Sequence, residues 1–131
     1  MSKQFIHKVK VYYEDTDAGG VVYYSNYLKY LERARTEAIN SIGLSNKKLL
    51  EKNGVLIIVK SCKINYIKPA QLEDHLEINS KVKSTTKTSF TMSQVIKNKK
   101  KIITEAEVHL VVVNKKGKPT MIPNALSQLL K

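Results

Sequence analysis

Along the chain, apolar positions first recur every second residue. Phe5, His7, Val9, Val11 and Tyr13 fall on one side of an extended segment, which predicts a half-buried strand. The run "DTDAGG" then supplies turn chemistry. From about Asn26 the period lengthens. Tyr27, Leu31, Ala34, Ala38 and Ile42 recur every three to four residues and predict an amphipathic helix. Ser25 or Asn26 is placed to cap its start, and Gly43 to stop it. "LSNKKLLEKNG" reads as a short second helix ending at Gly54. Strand periodicity follows. "VLIIV" predicts a buried run that continues in alternation through Cys62, Ile64 and Tyr66. "KPAQLEDH", including His75, reads as a connection. Leu76, Ile78 and Val82 mark the next strand, and Phe90, Met92 and Ile96 another. "KNKKK" is a polar turn before Ile102, Ala106, Val108, Leu110 and Val112. "PNALSQLLK" predicts a short final helix.

One long helix thus follows the first strand, and four strands then meander. An antiparallel sheet with one apolar face needs a cover, and the long helix is the available one. The prediction is an α+β fold with the sheet wrapped on the helix. A doubly wound parallel sheet would need helices between the strands, and the pattern lacks them.

Composition narrows the functional classes. The 131 residues form one domain, 42% hydrophobic and 26% charged, without repeat or linker. "MSKQFIHKVKVYYE" has no apolar targeting core, and the apolar runs are too short to span a bilayer, so a cytoplasmic, non-integral protein is expected. Cys62 stands alone and gives no disulfide framework; its alternating position predicts a small buried side chain. No HExxH-type pair or second Cys suggests a metal, and no cofactor motif appears. His7, His75 and His109 are scattered and read as structural or surface residues. The formal net charge is +12. Only Arg33 and Arg35 among 23 basic residues are arginines, so the charge reads mainly as solvated lysine surface rather than specific phosphate recognition. No RNP aromatic pair, KH loop or zinc knuckle supports nucleic-acid binding. Glu32, Arg33, Arg35 and Glu37 read as a paired charged helix face.

Residues 14–26 carry the candidate chemistry. A strand ends, a Gly-rich turn follows and a helix begins. The helix start leaves backbone N–H groups free to polarise a carbonyl oxygen. Gly19 and Gly20 allow a ligand close to the backbone. A carboxylate in the turn can act as general base or nucleophile. Acyl transfer uses this combination. The bland alternative is a turn whose acids favour the helix dipole. A calcium loop fails on the later ligand positions, and a strand-end D-x-D of the aspartyl-phosphate kind would want a parallel sheet.

"YYEDTDAGGVVYYSNYLKYLERARTE" resembles the signature of the hotdog-fold 4-hydroxybenzoyl-CoA thioesterase family, nearest its YbgC-type acyl-CoA thioesterases. The resemblance continues through "INYIKPAQLEDHLEI", "EAEVHLVVVN" and "IPNAL", nearly the whole chain. It implies one hotdog thioesterase domain over residues 1–131, with a long helix wrapped by a five-stranded antiparallel sheet. It implies hydrolysis of acyl-CoA to free acid and CoA. On this resemblance Asp17 is the catalytic carboxylate, as general base or nucleophile, and the backbone N–H of Tyr24 polarises the thioester carbonyl. Gly19 and Gly20 admit the thioester, and Lys87, with Lys60 as a weaker candidate, meets the CoA phosphates. It also implies a homodimer or homotetramer with sites at the subunit interface. Many YbgC-type members carry His where this chain has Tyr24, so a side-chain acid–base role there does not transfer. The rival reading is a non-catalytic hotdog module that binds acyl-CoA or an acidic acyl carrier protein.

Overall fold

In the computed structural model, which describes residues 3–130, five strands form one antiparallel sheet. They are β1 (Gln4–Lys10), β2 (Val55–Tyr66), β3 (His75–Thr85), β4 (Ser89–Asn98) and β5 (Lys101–Asn114), in the spatial order β1-β3-β4-β5-β2. The long helix α1 spans Tyr24–Ser41. A short α2 (Asn46–Lys48) runs into a wider turn at Leu49–Asn53, and α3 (Ser127–Leu130) closes the described chain. This is the helix-in-sheet hotdog architecture that the pattern and the resemblance predicted.

The path of the sheet differs from a plain meander. Only β3, β4 and β5 follow one another in space; β2 pairs with β5 at one edge, and β1 pairs with β3 at the other. Residues 67–74 therefore cross from one edge to the far side, and that crossing runs beside the turn that carries Asp17. His75, read from sequence as part of this connection, opens β3 opposite Lys10.

α1 buries Tyr27, Tyr30, Leu31, Ala34, Ala38 and Ile39, the spacing of a helix stripe. The sheet answers with Ile78, Phe90, Met92, Ile96, Val108, Leu110 and Val112, all buried. The core centre is polar. The Gln94 side-chain amide donates to the Leu31 carbonyl (3.0 Å) and to the Ser80 hydroxyl (2.9 Å), and its oxygen accepts from Arg35 Nη1 (3.0 Å). Those bonds fix the helix against the middle of the sheet, because an unpaired buried amide is costly.

β2 holds two surprises. "VLIIV" is not a buried run: Val55 is buried, but Leu56, Ile58 and Val59 are 40–48% exposed. In one chain this strand is an edge, with a neighbour on one side only. A bulge at Lys60 also re-phases it. Ile57 and Val59 pair with Val112 and Leu110, and beyond the bulge Cys62, Ile64 and Tyr66 pair with Val108, Ala106 and Thr104. All of these β5 partners belong to the helix-facing set, so the extra residue keeps one side of β2 turned toward α1. Cys62 is consequently exposed beside the open edge, not buried as its alternation suggested.

α1 begins one residue after Tyr23, whose backbone is extended, and no side chain caps it. Neither Ser25 nor Asn26 takes the expected capping role. The helix ends as expected, with Gly43 at φ +84° beyond Ser41. Among the described residues no helix is long and apolar enough to cross a membrane.

Candidate functional site

The segment between β1 and α1 is held by its acids, each with a different task. A single turn of 3-10 helix covers Tyr13–Asp15, and Tyr13 points away from the strand face, 82% exposed. The Tyr12 N–H donates to Asp15 Oδ2 (2.9 Å). The Asp15 carbonyl accepts from the Tyr23 N–H (3.0 Å) and from the Asn26 side-chain amide (2.7 Å). Asp15 thereby ties the turn to the first turn of α1, and Asn26 is occupied in that bond. Glu14 is exposed at the surface of the turn.

Residues 16–22 then form a tight hairpin. Thr16 bridges Val22, the Asp17 N–H donates to the Val21 carbonyl (2.9 Å), and the Gly20 N–H donates to the Asp17 carbonyl (3.0 Å). Gly20 sits at φ +80°, where side chains are strained. The Gly19 N–H donates to Asp17 Oδ1 at 2.8 Å and fixes the carboxylate, leaving Oδ2 without a partner among the described residues. A Cβ on Gly19 would stand 3.3 Å from that same Oδ1. The glycine pair therefore shapes the hairpin and positions the carboxylate as well as keeping the approach open.

The crossing segment completes a cleft. The Val22 N–H donates to the Ala70 carbonyl (2.8 Å), and the Leu72 N–H to the Gly20 carbonyl (3.1 Å). The buried Ala70 N–H donates to the Tyr27 hydroxyl at 3.0 Å, so α1 also holds the crossing segment. The result is a hollow of roughly 390 Å³ lined by Asp17, Tyr23, Tyr24, Tyr27, Tyr66 and Lys68. Tyr66 lies between two other rings, 5.0 Å from Tyr24 and 5.3 Å from Tyr27 between centroids. Burial pushes the Tyr27 hydroxyl above its usual pKa, against the opposing Ala70 bond. Burial also raises Tyr66. Beside the cleft, which Tyr24 lines, the N–H groups of Tyr24 and Ser25 open the helix and make no hydrogen bond among the described residues. A bound carbonyl oxygen would satisfy them and meet the positive end of the helix.

Asp17 and Tyr24 thus line one cleft; Gly19 contributes by holding the Asp17 carboxylate and Gly20 by turning the hairpin, and neither glycine is among the cleft walls. Lys60 and Lys87 do not join Asp17 and Tyr24 within one chain. Lys60 is the bulge residue of β2, about 20 Å along the strand from Tyr66 at strand rise. Lys87 is in the β3–β4 turn, its carbonyl accepting from Ile122. The Thr88 carbonyl in that turn accepts from Val112, which pairs with Ile57 at the far end of β2. Of the expected charged helix face, Glu32, Arg33 and Glu37 are exposed on α1, but the expected pairing is absent. Among the described residues the one ion pair is Lys83–Glu107, and Arg35 turns inward to Gln94. No group of three or more metal-ligating side chains is assembled among the described residues.

Tyr27 and Tyr66 were legible in the sequence only as periodic apolar positions. The pairing of a helix hydroxyl with a backbone N–H 43 residues away has no local signal. The thioesterase-like superfamily model matches residues 11–130. An acyl-CoA thioester hydrolase YbgC of Escherichia coli O6:H1 is 41% identical over 120 residues, covering 90% of this chain and 89% of that protein. An acyl-CoA thioesterase YbgC of Haemophilus influenzae is 36% identical, covering 91% and 88%. The crystal structure of a probable thioesterase from Bartonella henselae superposes with a TM-score of 0.89 at 31% identity, covering 92% of this chain and all of that one.

Proposed function

The chain belongs to the thioesterase-like superfamily, and we propose that it is an acyl-CoA thioester hydrolase in which Asp17 drives the attack and the Tyr24 N–H receives the oxyanion. The observation that carries this reading is the shared cleft of a pinned carboxylate and an uncapped helix start. The thioester carbonyl oxygen takes the place left open at the Tyr24 and Ser25 N–H groups, which draws electron density from the carbonyl carbon. In one form of the reaction Asp17 removes a proton from water as the hydroxyl adds to that carbon. The tetrahedral oxyanion then collapses, the C–S bond breaks, and the CoA thiolate leaves and recovers the proton. In the other form the carboxylate itself adds, CoA leaves, and water opens the resulting anhydride. Either route yields one free acid and one CoA.

The edge strand supports a homodimer. β2 is twelve residues long, unpaired on one side, and carries exposed Leu56, Ile58 and Val59. Such an edge is a ready template for a second copy. In that assembly Lys60 and Lys87 reach the CoA of the partner's cleft rather than their own. A panel of short, long and aromatic acyl-CoA thioesters, with acyl carrier protein thioesters alongside, tests the reading by release of free thiol. Steady thiol release from at least one member is expected. Binding across the panel without any thiol release would instead make the protein a carrier of thioesters.

A further inference from the structure

A second hollow lies farther along α1, on the same flank as the Asp17 cleft. Its volume is roughly 140 Å³, and Glu32, Arg35, Ile39, Ile57, Val59 and Phe90 are among its walls; Ile57 and Val59 belong to the β2 edge, so in the proposed dimer this hollow lies beside the subunit contact. Most of that lining is hydrocarbon, yet a guanidinium faces it. Arg35 spends one N–H on Gln94, and no carboxylate lies within ion-pair distance among the described residues. Four of its five donors remain, and burial lowers its pKa, the mark of a cation short of solvent. Its position is fixed. Gln94 also binds the Leu31 carbonyl, so the guanidinium is anchored near the level of Leu31, about 10 Å along the helix from Tyr24. Exposed Leu28 on the helix and Cys62 with half-buried Ile64 on β2 lie between the two hollows and give that stretch an apolar character. Glu32, exposed at the rim of the same hollow, supplies a negative charge.

We propose that Arg35 is a specificity-determining residue, and that this hollow takes the far end of a medium-chain acyl group bearing a neutral oxygen, a hydroxyl or keto group. A plain methyl end would displace water from the half-buried guanidinium without replacing its hydrogen bonds, which disfavours it. A terminal carboxylate would satisfy Arg35 but would meet Glu32 at the rim. A hydroxyl accepts from Arg35 without adding charge, and it can donate toward Glu32. The inference rests on the thioesterase reading for its substrate, but its test does not require turnover.

The measurement is equilibrium binding of ω-hydroxydecanoyl-CoA, decanoyl-CoA and the ω-carboxy analogue to the Asp17→Asn protein, by calorimetry. The hydroxyl form is expected to bind about tenfold more tightly than the plain chain, the scale of one hydrogen bond to a charged group. In the Asp17→Asn, Arg35→Met protein that ratio falls to about one, and Arg35→Lys restores part of it. Because the ratio is taken within one protein sample, loss of folded material does not mimic the effect. Equal dissociation constants for the hydroxyl and plain chains, tightest binding of the carboxylate, or a preference that survives Arg35→Met would each overturn the proposal. Failure of the thioesterase reading is separate: the parent protein would bind these ligands and release no thiol.

Discussion

In the proposed mechanism Asp17 and Tyr24 act through different atoms, and substitution separates them. Asp17 acts through its side chain, so Asp17→Asn is expected to lower kcat by roughly a thousandfold, the range of a general base or more, with the melting temperature nearly unchanged. Tyr24 is proposed to act through its backbone N–H, and the residue is 69% exposed, so Tyr24→Phe is expected to keep kcat within about threefold. Steady-state thiol release on both variants checks the pair; a Tyr24→Phe collapse would move the chemistry onto the phenol. Tyr30 gives a second residue-level expectation. Its hydroxyl is buried without a hydrogen-bond partner among the described residues. Burial first, and the neighbouring Asp15 carboxylate second, raise its pKa well above the usual value. A raised folded pKa means that the unfolded chain loses the proton first. The contribution of Tyr30 to stability is therefore full below about pH 10 and is lost as pH climbs from there toward the folded value. Urea unfolding from pH 9 to 11 should fall less steeply for Tyr30→Phe than for the parent, and parallel slopes would contradict the assignment.

At the scale of elements, the β4–β5 hairpin carries an avoidable strain. Its two turn residues, Lys99 and Lys100, stand at φ +51° and +71°, the left-handed geometry that a tight two-residue hairpin demands. Lysine pays about 1 kcal/mol or more for that conformation, and glycine does not. Lys100→Gly should raise stability by about that amount in chemical denaturation, with activity unchanged, since neither turn residue lines the Asp17 cleft. The same hairpin indicates what the sequence made readable. Its position followed from a polar run between alternating segments, and α1 followed from Tyr27, Leu31, Ala34 and Ala38. The Asp17 turn was readable because its chemistry is local: two glycines, an acid and a helix start within a few residues. The β2 bulge at Lys60, the inward turn of Arg35 and the crossing of residues 67–74 were not readable. Each depends on a partner strand or a buried amide far away in the chain. Periodicity identified β2 as apolar, and only pairing with β5 determines that it is an edge.

The whole molecule raises a problem that a single chain does not solve. Asp17 lies by the Tyr66 end of β2, Lys60 at the bulge in its middle, and Lys87 toward the Val55 end, so neither lysine lines the Asp17 cleft of its own chain. If an edge-to-edge dimer is antiparallel, one copy's lysine end lies beside the other's Asp17 end. Lys60→Gln with Lys87→Gln should then raise KM for acyl-CoA about fivefold, the scale of two exposed ionic contacts, while kcat holds. Added salt should raise the parent KM and flatten that difference, because exposed charges are screened. Subunit mixing decides which chain supplies the lysines. The Asp17→Asn protein is inactive with its lysines intact, and the double lysine variant is active with a high KM. After dissociation and reassociation together, a mixed dimer joins an intact Asp17 from one chain to intact lysines from the other. If the lysines act across the interface, a low-KM component appears in the mixture that neither parent protein contains. If they act within their own chain, or not at all, the mixture shows only the high-KM activity diluted by the inactive subunits, and the interfacial site is excluded.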